Sequence, residues 1–254
     1  MSDPRESKKW LFGGRGAGEH NLLELSDRTN QLAKAHTKIL CVSKDTEDVP
    51  VSPNERYQRG FAHSRMWTDY AGRHSGVCLI FDRTKLHEAI TNAVASETVY
   101  ADRMTYSEWT PELGEAFTIE LDTLGALGVD RGLLAHIRTY RRELFFHKNL
   151  DWASEVEFRW LVFGETPTPE FVPFGDALEG VCVGVNFPAS DERTLWYLAE
   201  TFGISAIPRL TWFNGRVGVQ HMQKPGTPPT GGVNLDAILW RGHRTRELEV
   251  DDGA

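Results

Sequence analysis

The chain has 254 residues, 40% of them hydrophobic, and a formal net charge of -8. This is enough apolar content for a core, but no run approaches the roughly 18 apolar residues of a membrane-spanning helix. An acidic chain repels phosphate backbones on average, which disfavours nucleic-acid partners and a nuclease reading.

Residues 1–20 are polar and glycine-rich, with Trp10-Leu11-Phe12 as the one apolar anchor, and read as a flexible N-terminal segment. The start, Met1-Ser2-Asp3-Pro4-Arg5-Glu6-Ser7, has no apolar signal core, so a cytoplasmic protein is expected. Gly13-Gly14-Arg15-Gly16-Ala17-Gly18 lacks the ending of a phosphate-binding loop and reads as a flexible loop. Leu22, Leu25 and Leu32 predict a helix ending near His36. Ile39-Leu40-Cys41-Val42 then reads as a buried strand ended by Ser43, and residues 44–58 as an exposed loop. Phe61 to His74 reads as a helix with Met66, Trp67, Tyr70 and His74 on one broad face, closed by Gly72 and Gly76. Val77 to Phe81 is a short strand, and Asp82 caps a helix carrying Leu86, Ile90 and Val94.

Thr98-Val99-Tyr100 reads as a strand, followed by helices over 111–126 and 131–147. His136, Arg138, Arg141, Arg142 and Lys148 form a basic cluster that reads as a solvated helix face. Glu155 to Phe163 alternates with the period of a strand. Glu155, Glu157, Arg159 and Leu161 point one way and Val156, Phe158, Trp160 and Val162 the other. Val181 to Phe187 is a further strand, and Ser190 caps a helix carrying Leu195, Trp196, Leu198 and Phe202, with Gly203 just past its end. Leu210 to Phe213 and Val217 to Gln220 flank Asn214-Gly215, a type I′ hairpin signal. The acidic tail, 246–254, reads as frayed. With helices and strands interleaved around one antiparallel hairpin, the expected fold is a single α+β domain with a mixed or antiparallel sheet and flanking helices.

Two features could carry chemistry. On one strand face Glu155, Glu157 and Arg159 would stand roughly 7 Å apart in sequence steps of two. Paired carboxylates raise each other's proton affinity and the arginine opposes this, an arrangement suited to holding a hydroxyl or a developing positive charge. The bland reading is an outward ion network on a solvated face. Met66-Trp67-x-x-Tyr70-x-x-x-His74 offers either a ligand-stacking wall or core packing with a satisfied histidine. Lys148 and Trp152, just before the glutamates, are candidate neighbours of the same site. Cys41, Cys78 and Cys182 lie far apart in apolar stretches without ligand spacing; they read as buried free thiols, and no metal is expected.

Taken together, these blocks resemble an uncharacterised bacterial family, the domain-of-unknown-function family 2971. Its pattern is a strand ending C-F-S, then M-W-x-x-Y-A-x-x-H-x-G-V-C-L-x-F-D, then K-x-x-x-W-x-x-E-x-E-x-R. The chain reads Cys41-Val42-Ser43, then Met66-Trp67-Thr68-Asp69-Tyr70-Ala71-Gly72-Arg73-His74-Ser75-Gly76-Val77-Cys78-Leu79-Ile80-Phe81-Asp82. It then reads Lys148 through Trp152 to Glu155-Val156-Glu157-Phe158-Arg159, and the likeness spans about residues 39–210. Members of the family carry an N-D-P-x-E box after an extra first strand, so Ser2-Asp3-Pro4-Arg5-Glu6 reads as a remnant of that box. More distantly, the order of a Ser-ending strand and an E-x-E strand is similar to that of ADP-ribosyltransferases. That resemblance implies an NAD-cleaving transferase or glycohydrolase, active in a toxin or defence setting on a small nucleotide and a macromolecular acceptor. Glu157 would be the catalytic carboxylate and Glu155 its partner. Ser43 would lie at the pocket wall, and Trp67 or Tyr70 would pack the nicotinamide, with His74, Lys148, Trp152 and Arg159 as further substrate-binding neighbours. The alternative is a non-enzymatic binding or interaction module, or an inactive relative.

Overall fold

The alternation that begins after Glu155 does produce a strand, Glu157–Phe163, and it is the centre of a three-stranded antiparallel sheet between Thr37–Ser43 and Val99–Arg103. The computed structural model describes residues 9–46, 58–94, 98–108, 114–214 and 216–226. The Ser2–Glu6 stretch, most of the 44–58 loop, Gly215 and the tail therefore lie outside the described residues. The described chain resolves into two compact units, each assembled from separate stretches of sequence. One takes the residues up to Arg65 with Ile90–Pro173, the other Met66–Ala89 with the residues from Phe174 on.

In the first unit, Asn21 caps the helix Leu22–His36 by accepting from the backbone N–H groups of Leu23 and Glu24. That helix packs against Val129–Thr139, and Arg28 and Asp130 bridge the pair at the surface. Both helices enclose an apolar core of Leu25, Leu32, Leu133 and Ile137, closed by Leu161 and Phe163 from the central strand. The core face of that strand is thus the one carrying Glu157, Arg159, Leu161 and Phe163. The long helices expected over 111–126 and 131–147 are shorter. A strand, Thr118–Glu120, precedes Leu121–Leu127, and a break at Tyr140 separates Val129–Thr139 from Arg141–Phe145. Gly13–Arg15, expected as a flexible loop, is a short strand parallel to Thr118–Glu120, and Arg15 pairs with Glu115 and Glu120. A β-carbon at Gly14 would stand 2.8 Å from Leu22 Cδ2, so a larger residue there would have to push the Leu22 side chain aside.

The second unit holds a four-stranded mixed sheet. The strands run in the order Arg216–His221, Pro208–Phe213, Leu178–Val183, Val77–Phe81. The hairpin expected around Asn214 is there, with Asn214 at φ 51 and antiparallel pairing from Phe213↔Arg216 to Pro208↔His221. The helix Glu192–Thr201 lays Trp196 and Ala199 on Val181, Val183, Ile204 and Ile207. Ser190 does not cap it, because its hydroxyl bonds to Asp191 within a preceding 3₁₀ turn. Gly203 at φ 71 closes the helix as expected, with Ile204 N–H bonded back to the Ala199 carbonyl. Asp82 accepts from the backbone N–H of Lys85 at the start of Arg83–Ala93, the expected cap. The class is α+β with antiparallel and mixed sheets among helices, as the sequence predicts. Among the described residues no helix is long and apolar enough to cross a membrane.

Candidate functional site

The two glutamates do not stand side by side on one strand. Leu150–Glu155 is a 3₁₀ helix opened by Asn149, whose side chain accepts from Asp151 N–H. It ends at Val156, which adopts the left-handed conformation at φ 46, ψ 51. A β-branched residue is an outlier there, and the strain is held by two backbone bonds, Val156 N–H to Ala153 O and Lys44 N–H to Val156 O. The reversal at Val156 turns Glu155 back toward the start of the strand, so the expected strand beginning at Glu155 begins instead at Glu157.

The result is a buried chain of four charges. Lys148 Nζ lies 2.8 Å from Glu155 Oε2 and also donates to Glu157 Oε2, while Arg159 Nε donates to Glu157 Oε1 and its Nη1 to the Phe145 carbonyl at 2.7 Å. Exposure is 3% for Lys148, 2% for Glu155, 5% for Glu157 and 5% for Arg159. These residues therefore do not form a solvated face. Each of these buried charges faces an opposite one, which offsets much of the cost of taking it out of water. Burial pushes the Glu157 carboxyl up, but Arg159, then Lys148, with a smaller contribution from Cys41, outweigh it. The group titrates below its ordinary value. The backbone N–H of Glu157 donates to the Tyr106 phenol oxygen at 2.9 Å. Burial pushes that phenol up to about 12, so it stays a neutral O–H.

Ser43 stands directly across from Glu157 in the ladder, and its hydroxyl donates to the Glu155 carbonyl at 2.6 Å. Trp152 is buried beneath two cations, with the Arg65 guanidinium carbon 4.3 Å and Lys148 Nζ 5.7 Å from its ring centre. Next to this network a cleft of about 250 Å³ opens, lined by Lys44, Thr46, Arg103, Met104, Tyr106, Val156 and Glu157. Of these only Glu157 is a residue the sequence singles out. Tyr106 and Arg103 sit in short strands whose pattern gives no chemical signal, and Lys44 and Thr46 in a segment read only as loop.

The basic cluster is not one solvated face either. His136 and Lys148 are buried, the Arg141 guanidinium lies over the Tyr100 ring and that of Arg138 over Phe163, and Arg142 pairs with Asp102.

Trp67, Tyr70 and His74 belong to the second unit. The helix expected to run to His74 is only Ser64–Asp69, because Gly72, Arg73 and His74 all take positive φ. The turn carries His74 back over Trp67. The two rings are parallel at 6.4 Å, and Trp212 meets His74 edge-on at 4.6 Å. Trp67, at 2% exposure, is a core residue, whereas Tyr70 at 59% leaves the expected shared face. The turn is locked onto the segment after Leu178–Val183. Asn186 N–H donates to His74 O, and its side-chain amide donates to Arg73 O. A β-carbon at Gly184 would collide with the His74 carbonyl at 2.1 Å.

None of the three cysteines is in a disulfide, as expected, but only Cys182 is buried. Cys41 is exposed, because Thr37–Ser43 is an edge strand, and so are Ile39 and Leu40. No curated protein and no solved structure matches the chain. Residues 66–160, from Met66 to the Glu157-Phe158-Arg159-Trp160 stretch, match the model of the family described as Protein of unknown function (DUF2971).

Proposed function

We propose that the protein is a binding module that takes a small anionic molecule into the cleft beside Glu157, and that the Lys148–Glu155–Glu157–Arg159 network is the buried, ion-paired floor of that cleft. The observation that carries this reading is the saturation of Glu157. One carboxylate oxygen serves Arg159 and the other Lys148, so little of its charge remains to stabilise a developing cation. Lys44 and Arg103 line the cleft, which suits a phosphate or carboxylate group, and the Tyr106 hydroxyl adds a neutral hydrogen-bonding partner. The volume, about 250 Å³, falls below the roughly 300–1,000 Å³ typical of drug-sized ligands, so a phosphorylated sugar fits the space better than a whole dinucleotide.

A second reading, cleavage of NAD at the nicotinamide bond with Glu157 as catalytic carboxylate, is favoured by one feature. Ser43 and Glu157 are cross-strand partners and Glu157 reaches the cleft. Titration calorimetry with ribose 5-phosphate and with NAD, alongside an assay for nicotinamide release, separates the two. The module reading expects binding of the phosphosugar, weakened at least tenfold in Lys44→Glu and in Arg103→Glu, with no nicotinamide released. Nicotinamide release that disappears in folded Glu157→Gln would replace it with the catalytic reading, and absence of both binding and release would refute both.

A further inference from the structure

The sequence places Cys78 and Cys182 about a hundred residues apart, yet the fold makes them direct neighbours. Val77–Phe81 pairs antiparallel with Leu178–Val183, and the register sets Cys78 opposite Cys182. Facing residues of an antiparallel pair put their side chains on the same side of the sheet, with α-carbons about 4.5 or 5.5 Å apart. Both spacings lie within the roughly 4.4–6.8 Å that a disulfide spans. The Cys78 side chain, then burial, push the Cys182 thiol well above its ordinary value. Cys182 is closed off at 1% exposure, while Cys78 is half-buried on a strand at the sheet edge.

We infer that Cys78 and Cys182 are a reversible dithiol switch, oxidised by a hydroperoxide to a cross-strand disulfide that fastens the edge strand Val77–Phe81 to its neighbour. The outer thiol reacts first. The Cys78 thiolate attacks the peroxide oxygen, the O–O bond breaks, hydroxide leaves, and Cys78 becomes a sulfenic acid. The Cys182 thiol then attacks the Cys78 sulfur. An S–S bond forms, the S–O bond breaks, and water leaves with the Cys182 proton, so two thiols are oxidised as one peroxide is reduced to water. A thiol reductant reverses the step by exchange, and disulfides that are exposed or strained on a sheet are the readily reduced kind. The bond would close a loop of about a hundred residues, long enough for its effect on the unfolded chain to be large. Cys41, in the other unit, has no part in it.

The test uses the full-length, fully reduced chain. It is treated with hydrogen peroxide under native conditions, quenched by alkylation after unfolding, digested and mapped by mass spectrometry. The expected result is a Cys78–Cys182 linked peptide with Cys41 alkylated, released by dithiothreitol, and a higher melting temperature for the oxidised chain that reduction abolishes. Cys78→Ser and Cys182→Ala should each lose both effects; because Cys182 is a core position, the wild-type map stands as evidence even if Cys182→Ala folds poorly. Recovery of alkylated Cys78 and Cys182 after peroxide would overturn the inference. So would accumulation of Cys78 sulfinic acid beside an unmodified Cys182, which would mean that the second thiol cannot reach the first.

Discussion

Glu157→Gln tests the buried network most directly. The substitution preserves size and the capacity to hydrogen-bond but removes one negative charge from the buried network of Lys148, Glu155, Glu157 and Arg159. Lys148 then keeps Glu155, while Arg159 loses the carboxylate to which its Nε donates, at sites only 2–5% exposed. Removing one partner from a buried ion network leaves an uncompensated charge and costs about 3–5 kcal/mol. For a chain of this size that lowers the melting temperature by roughly 6–20 °C. Urea unfolding followed by tryptophan fluorescence measures the loss. The pH dependence gives a second reading. Because the folded Glu157 carboxyl titrates below the value of about 4.3 it has when unfolded, its contribution is fully present above that unfolded value. The contribution is lost as pH falls through the lower, folded value, and Glu157→Gln should flatten this part of the acid limb. Glu157→Leu with Arg159→Met removes an opposed pair together and leaves Lys148 facing Glu155, and should be more stable than either single variant. A Glu157→Gln protein within about 1 kcal/mol of wild type, with an unchanged acid limb, would refute the network account and favour a carboxylate kept for catalysis.

Other consequences are simpler to check. Trp67→Ala should cost about 3–5 kcal/mol by thermal unfolding as a core truncation, while Tyr70→Ala should stay within about 0.5 kcal/mol, and equal effects would mean the two rings share an environment. Val156→Gly relieves a left-handed β-branched residue and should leave stability unchanged or raise it by about 1 kcal/mol in urea titration, and a loss larger than that would show the side chain outweighs the strain. Burial lowers the His136 pKa against the opposing pull of the Ala116 carbonyl and Glu120. Its contribution is therefore present above about 6.5 and lost as pH falls through the folded value. Melting temperatures taken between about pH 7 and pH 5 should fall less in His136→Gln, which keeps a donor for Ala116, than in the wild type.

Periodicity made much of the backbone legible. The strands at Val77–Phe81 and at Glu157–Phe163, the helix Leu22–His36 and the hairpin at Asn214 follow from local alternation, capping and turn chemistry. What alternation cannot tell is which face of a strand lies inside. The face bearing Glu157 and Arg159 also bears Leu161 and Phe163, and the last two decide the matter because their burial drives the fold while the charges can be neutralised. The neutralising cation, Lys148, comes from a separate short strand, His147–Asn149, and reaches both carboxylates only because Val156 turns the chain through a conformation that β-branched residues rarely adopt. No propensity predicts that turn, and the strand reading of Glu155 fails there for the same reason. The Cys78–Cys182 pairing was hidden differently, since its register depends on two strands about a hundred residues apart that only the folded sheet brings together. Each hidden feature rests on a contact between distant or strained segments, where local rules give way. A cation a few residues upstream of an E-x-E-x-R run, matching its excess negative charge, is the signal in the sequence that points to burial of the whole group.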